Sequence, residues 1–209
     1  MEYRAVGQRC AVDLQDLRLP ISEERALEIL KKKGFSLVEI DLIALARSRV
    51  GRSLYRRGAK PREAPDVVDC SSFTKWLYGE RGLFLPRRSI QQRACGIAID
   101  LRHIAADDLV FTSGRIDYYP YPNNLRDGVG HVGIATRDQT VIHAMNATNG
   151  IVETPLEEFL DPDSFRGVRR YLPPERKILT LEASTDQEVE TSDDFYWIIH
   201  KSLPNPSSL

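Results

Sequence analysis

The sequence is poor in cysteine: Cys10, Cys70 and Cys95 are the only three among 209 residues. Such an odd and sparse set does not form the disulfide framework that holds many small secreted domains together. The chain has no Cys-x-x-Cys pair, which argues against a zinc ribbon and against a thioredoxin-type redox site. The cysteines are therefore compatible with either a reducing or an oxidising compartment.

An excess of charge of one sign is also missing. Lysine and arginine number 29, aspartate and glutamate number 30, and the net charge is −1. With this balance the protein has no overall positive charge that would attract a nucleic acid or another polyanion, so we expect no nucleic-acid partner.

The sequence further lacks long apolar segments. No stretch approaches the roughly 18 consecutive apolar residues that a membrane span requires, so we expect no membrane partner. Residues 1–20 are polar and mixed in charge, without the apolar core of a secretory signal peptide. We therefore expect a cytoplasmic location; export by another route, or a leader absent from this sequence, are the alternatives.

What is present is the composition of a globular protein, with 42% hydrophobic and 28% charged residues. The length fits one domain with extensions. We predict an N-terminal extension with one helix over residues 1–38, a central domain over 39–172, and a C-terminal extension over 173–209. The C-terminal extension contains an acidic stretch followed by an apolar segment.

Helical patterns come early in the chain and strand patterns come late. Beyond an irregular stretch over residues 1–20, helices are predicted over residues 22–34, 37–51 and 71–82. Strands are predicted over residues 107–113, 131–136, 140–145, 150–156 and 165–172, with a further candidate strand within 173–183. This order predicts an α+β fold. A loop over residues 115–128, rich in tyrosine and proline, is either functional or a plain surface excursion.

Cys70, in "VVDCSSFTKWLY", precedes the third predicted helix. Unpaired N–H groups and the positive end of the helix dipole lie at a helix start, and both favour a thiolate. We therefore expect the pKa of Cys70 to fall below the usual value of about 8.5. With a base in reach, such a thiol is an activated nucleophile; the alternative is a buried structural cysteine.

His131 and His143 lie on two strands that form a predicted hairpin. Facing side chains on paired strands have Cβ atoms about 4.5–5.5 Å apart, and diagonal ones about 7–8 Å. If both imidazoles share one face, one would exchange a proton with the thiol while the other orients it. The alternatives are two unrelated histidines, or a metal-binding pair for which no third ligand with suitable spacing is evident.

Five blocks occur in the order "DCSSF", "LPRRSIQQ", "DDLVF", "GHVGIA" and "VIHA". Together they resemble the NlpC-type papain-like cysteine peptidases, which are bacterial cell-wall endopeptidases. The resemblance covers about residues 40–172 and implies a papain-like α+β fold, with N-terminal helices packed on an antiparallel sheet. It implies Cys70 as nucleophile, His131 as base and then acid, and His143 as the orienting residue, without a metal or an organic cofactor.

Five further residues are predicted to bind the substrate or to shape the pocket that holds it. By resemblance, Tyr55 reaches into the site, and Asp69 and Ser71 shape the pocket beside the thiol. Ser72 stands where a glycine usually follows in the family, and it adds a side chain behind the thiol. Arg87 offers a planar fork that suits a substrate carboxylate, with a surface or capping role as the alternative.

The reaction that the resemblance implies is hydrolysis of the amide between D-γ-glutamyl and diaminopimelate or lysine in peptidoglycan stem peptides. It would proceed through a thioester acyl-enzyme, and the partner would be a peptide derived from peptidoglycan. One rival is an amidase effector, a toxin with the same Cys-His-His chemistry. The other is a non-catalytic binding domain of the same fold. The oligomeric state is not predicted.

Overall fold

The structure is a computed structural model, and it describes residues 3–119 and 127–203. The chain forms two compact units. The terminal unit comprises Met1–Ile40, Tyr78–Phe84 and Pro174–Leu209, and the central unit comprises Asp41–Leu77 and Leu85–Pro173. The predicted domain boundaries after residues 38 and 172 stay a prediction.

The described residues form five α-helices and eleven β-strands. The helices are α1 (Glu23–Lys32), α2 (Leu42–Arg47), α3 (Cys70–Glu80), α4 (Ser89–Ala94) and α5 (Asp194–His200). The strands are β1 (Arg9–Val12), β2 (Phe35–Leu37), β3 (Leu54–Tyr55), β4 (Val67–Val68), β5 (Ile97–Ile99), β6 (Leu109–Thr112), β7 (His131–Ala135), β8 (Thr140–Asn146), β9 (Gly150–Pro155), β10 (Phe165–Arg170) and β11 (Leu179–Ala183). Short 3₁₀ helices cover Pro61–Glu63, Leu101–His103 and Leu156–Phe159.

The terminal unit is built on a three-stranded antiparallel sheet in the order β1-β11-β2. Its first helix, α1, begins where the hydroxyl of Ser22 accepts the N–H of Arg25, and it carries glutamates in the first turn and lysines in the last. The core of this unit is apolar and contains Cys10, Val12, Leu30, Phe35, Leu181, Phe195 and Ile199.

Two predicted segments of the chain differ from the structure, and one strand was not predicted. Residues 1–20, expected to be irregular, contain β1, whose buried side chains follow one another without the alternation that marks a strand. The helix predicted over 37–51 is shorter in the structure and consists of α2 alone. It begins after Asp41, whose side chain caps it by accepting the N–H of Ala44 at 2.9 Å. Phe35–Leu37 is a strand, too short to be recognised by periodicity.

The central unit contains a six-stranded antiparallel sheet in the order β5-β10-β6-β7-β8-β9. All five strands predicted for this region form, so the α+β prediction is confirmed. The sequence did not indicate α4 or β5, which are six and three residues long. Buried apolar residues that cluster in this unit are Val110, Ala135, Val141, Leu156, Phe159 and Val168.

The helix α3 begins at Cys70, and Phe73 and Leu77 lie fully buried on it, one turn apart, as the apolar pattern predicts. At the predicted long loop, Tyr118 pairs with Val129 in an isolated bridge, and the part over 120–126 lies outside the described residues. Among residues 3–119 and 127–203, no helix has the length and apolarity needed to cross a bilayer.

Candidate active site

Cys70 is the first residue of α3, and a pair of short strands leads the chain into this helix. The two-residue strands β3 and β4 pair in parallel, with Tyr55 beside Val68, and the chain then enters the helix at once. A side-chain oxygen of Asp69 accepts the N–H of Ser72 at 2.8 Å, and the hydroxyl of Ser72 accepts the N–H of Asp69 at 2.8 Å. This reciprocal cap fixes the first turn of the helix, and with it the direction of the thiol.

The thiol of Cys70 is buried, with 8% of the residue exposed, and its Sγ lies 3.9 Å from the carbonyl oxygen of Gly130. Burial raises the pKa of Cys70 to about 12, and the charge of Asp69 adds to this, although the N–H groups of Ser71 and Val132 oppose it. The prediction that the helix start would lower this pKa is therefore wrong. Burial outweighs the helix terminus, and the resting site holds a thiol that needs a base to remove its proton.

His131 on β7 and His143 on β8 meet on one face of the sheet. The Nε2 atom of His131 lies 2.8 Å from the Nδ1 atom of His143, which confirms the predicted contact. In the pairing of β7 with β8, Ile134 lies opposite Ile142, and the neighbouring Gly133 lies close to His143. A Cβ atom on Gly133 would lie 2.3 Å from Cγ1 of Val141 and 3.0 Å from Cβ of His143. The glycine therefore leaves room for the side chain of Val141 and for the Cβ atom from which the second imidazole extends.

The hydrogen bonds of the two imidazoles determine which ring nitrogen is available to the thiol. Since Nε2 of His131 faces His143, its Nδ1 atom is the one left to accept a proton. In that tautomer Nε2 donates to His143, and His143 carries its own proton on Nε2, which lies 3.4 Å from Oγ1 of Thr154. Phe159 packs against both rings, with centroid distances of 5.7 Å and 4.9 Å.

Thr154 and Phe159 are functional candidates that the sequence did not indicate. They lie in β9 and in the 3₁₀ helix that follows it, where nothing in the local pattern links them to the histidines. Burial lowers the pKa of His131 to about 4. It also lowers the pKa of His143 to about 3, where the neighbouring His131 contributes. Both imidazoles are thus neutral near neutral pH, as a proton acceptor must be.

Cys70 and His131 line one cleft of about 900 Å³, a size suited to a small ligand. Tyr55, Asp69, Ser71 and Arg87, four of the five predicted substrate-binding residues, line the same cleft. Burial raises the pKa of Tyr55, and the negative charge of the Asp69 carboxylate adds to that effect.

Ser72 and Arg87 both make hydrogen bonds within the protein that the sequence did not indicate. Ser72 does not line the cleft: its side chain is buried and bonded to the backbone of Asp69, so we expect it to support the helix start. Arg87 donates to both carboxylate oxygens of Asp69, at 3.1 Å and 2.5 Å, and to the carbonyl of Ala59 at 2.6 Å. Its fork is thus bound to the protein, and it positions Asp69 beside the thiol.

In the described part of the chain, no group of three or more His, Cys, Asp or Glu side chains is placed to hold a metal ion. The site therefore combines a thiol with two imidazoles that are neutral near neutral pH, at the edge of an open cleft.

The model of the NlpC/P60 family matches residues 52–170. A γ-D-glutamyl-L-lysine dipeptidyl-peptidase of Bacillus cereus is 31% identical over 105 residues, which are 50% of this chain and 29% of that protein. A probable endopeptidase of Corynebacterium glutamicum is 33% identical over 116 residues, 56% of this chain and 47% of that protein. The matched part of the chain therefore spans less than half the length of either relative.

Solved structures give the same fold. NlpC1 from Trichomonas vaginalis superposes with a TM-score of 0.51 and 23% identity, covering 64% of this chain and 46% of that one. NlpC2 from the same organism superposes with a TM-score of 0.50 and 22% identity, and the match covers 62% of this chain and 45% of that one. The resemblance seen in the five sequence blocks is confirmed, and because the family model matches more than half of its residues, this chain belongs to the NlpC/P60 family.

Proposed function

We propose that this chain is a cysteine peptidase that hydrolyses the amide between D-γ-glutamyl and diaminopimelate or lysine in peptidoglycan stem peptides. The observation that carries the proposal is the meeting of Cys70 and His131 in one cleft, with His143 hydrogen-bonded to His131 at 2.8 Å. The name of the Bacillus cereus relative, a γ-D-glutamyl-L-lysine dipeptidyl-peptidase, supports this type of bond as the target.

The first step is attack of Cys70 Sγ on the carbonyl carbon of the scissile amide. As the C–S bond forms, the thiol proton moves to Nδ1 of His131, because both groups are neutral at rest. His131 then becomes a cation, and His143 stabilises it by accepting the proton of Nε2 in a hydrogen bond. We assign the backbone N–H of Cys70, at the helix start, to the developing oxyanion.

The second step breaks the C–N bond. His131 returns its proton to the leaving amine, and the γ-glutamyl part stays on Cys70 as a thioester. Water then attacks the thioester with His131 as base, which releases the carboxylic acid and restores the thiol. Atoms and charges balance without a metal or an organic cofactor.

The test is mass spectrometry of soluble stem peptides, muropeptides and whole sacculi after incubation with the wild type, Cys70→Ala or Cys95→Ala. Cys95 is an exposed free cysteine outside the cleft, so its variant is the matched control. We expect cleavage at the D-γ-glutamyl bond by the wild type and Cys95→Ala, and none by Cys70→Ala. Binding without cleavage by folded wild type would favour the binding-domain rival, and cleavage of another amide bond would favour the effector rival.

A further inference from the structure

The lining of the cleft is unbalanced in charge. Among the described residues, its charged members are the arginines Arg56, Arg57, Arg87, Arg88 and Arg115, against the one carboxylate of Asp69. The whole chain, by contrast, has a net charge of −1. Positive charge is therefore concentrated at the opening that leads to Cys70, and the resulting electrostatic potential attracts an anionic ligand.

Two of these arginines are neutralised within the protein. Arg56 forms an ion pair with Glu63, and Arg87 forms its two bonds with Asp69. Arg57, Arg88 and Arg115 are exposed and have no carboxylate partner within residues 3–119 and 127–203. These three form the free cationic rim of the cleft.

The rim is assembled from three separate segments of the central unit. Arg57 follows β3, Arg88 immediately precedes α4, and Arg115 follows β6. The guanidinium of Arg88 lies over the ring of Tyr118, 5.0 Å from its centroid, and this contact holds the cation at the cleft. Three like charges around one opening repel one another, so they do not stabilise the empty protein. A bound anion would relieve that repulsion.

We propose that the free cationic rim selects stem peptides by their free carboxylates and discriminates against peptides in which those carboxylates are carboxamides. The proposal rests on the proposed function and adds a specificity to it. An arginine donates two parallel charge-assisted hydrogen bonds to a carboxylate. A carboxamide of nearly the same shape has no charge and presents one acceptor, so a cationic rim distinguishes the two groups although a steric pocket would not.

The experiment uses two stem peptides of one sequence, one with free α-carboxylates and one with carboxamides in their place. Binding is measured by calorimetry on the Cys70→Ala protein, and kcat/KM on the otherwise wild-type protein. The rim variants are Arg57→Gln, Arg88→Gln and Arg115→Gln. The matched control is Arg137→Gln, because Arg137 is also exposed and lies outside the cleft.

We expect the wild type to prefer the free-carboxylate peptide by about tenfold or more in both measurements. Each rim variant should weaken binding of that peptide while leaving binding of the carboxamide peptide unchanged, and Arg137→Gln should change neither. The preference should shrink as salt rises from about 0.01 M to about 0.15 M, because exposed charges are screened.

Equal binding of the two peptides, or rim variants that behave like Arg137→Gln, would overturn the proposal while leaving the peptidase activity intact. If instead no peptide is cleaved but the rim still selects the carboxylate form in the binding measurement, the specificity stands and the proposed reaction fails. The two inferences are thus separable.

Discussion

Each unit contains one buried cysteine, and the two differ in what surrounds the sulfur. Cys10 lies in the apolar core of the terminal unit, and its Sγ contacts the backbone carbonyls of Tyr3 and Ala11 at 3.8 Å and 3.4 Å. Cys70 opens onto a cleft with His131, and the N–H groups of Ser71 and Val132 act on its sulfur.

Burial raises the pKa of Cys10 and of Cys70 to about 12. The pKa therefore does not distinguish the proposed nucleophile from a packing cysteine in this protein. What distinguishes Cys70 is access from solvent, a neutral imidazole on the same cleft, and backbone donors directed at the sulfur. The following substitutions test that distinction, in order of decreasing effect.

The largest difference is expected between alanine variants of the two cysteines. Cys70→Ala should lower kcat/KM by about 10⁴-fold or more, because no other group can form the thioester. Cys10→Ala should leave kcat/KM unchanged and lower the free energy of unfolding by about 1 kcal/mol, since it removes a sulfur from a packed core. Steady-state kinetics give kcat/KM and denaturant unfolding gives the free energy of unfolding for both variants. A large loss of activity in Cys10→Ala would contradict the distinction between the two cysteines.

The second effect concerns the hydrogen bond between the imidazoles. His143→Ala should lower kcat by about 10²–10³-fold, because His131 loses the acceptor that fixes its tautomer and stabilises its cation. Alkylation of Cys70 by iodoacetamide should slow in parallel. Activity close to wild type in a folded His143→Ala protein would show that His131 is oriented by other contacts, such as its packing on Phe159.

A smaller effect is expected at Thr154. Thr154→Val keeps the shape but removes the hydroxyl that accepts the proton of His143, and we expect kcat to fall by about threefold to tenfold. Thr154→Ser should restore most of the activity, and KM should not change in either variant. A valine variant with unchanged kcat and an unchanged pH profile would show that the tautomer of His143 does not depend on this bond.

The smallest effect near neutral pH is the pH dependence itself. Because the pKa of His131 is about 4, its imidazole stays neutral and able to accept a proton until the pH falls to that value. We expect kcat/KM to be level from neutral pH down to about pH 5 and to halve near pH 4. An acid limb near pH 6.5, the usual range for histidine, would mean that burial does not control His131.

The residues that the sequence predicted well are those whose neighbours are close along the chain. A hairpin with a short turn brings His131 and His143 together, and Cys70 follows from the local signature of a helix start. The sign of the pKa shift of Cys70 did not follow, because burial depends on the whole cleft, whereas the helix start is a local feature.

Some side-chain contacts were out of reach of the sequence even where the two partners are close along the chain. The pairing of Arg87 with Asp69 and the contact of Thr154 with His143 leave no periodic signal. A substrate-binding role and a surface or capping role therefore both stayed open for Arg87, and Thr154 was not noticed. Likewise β1 was missed, since it owes its strand conformation to pairing with β11 more than 160 residues later.

The most direct test of the account is to trap the acyl-enzyme. Wild-type protein would be mixed with a stem peptide, quenched in acid at early times, and digested for peptide mass spectrometry. We predict a mass increase equal to the γ-glutamyl-containing acyl fragment on the peptide that carries Cys70, and none on the peptides that carry Cys10 or Cys95. Turnover without an adduct on Cys70, together with cleavage by Cys70→Ala, would contradict the assignment of Cys70 as the nucleophile.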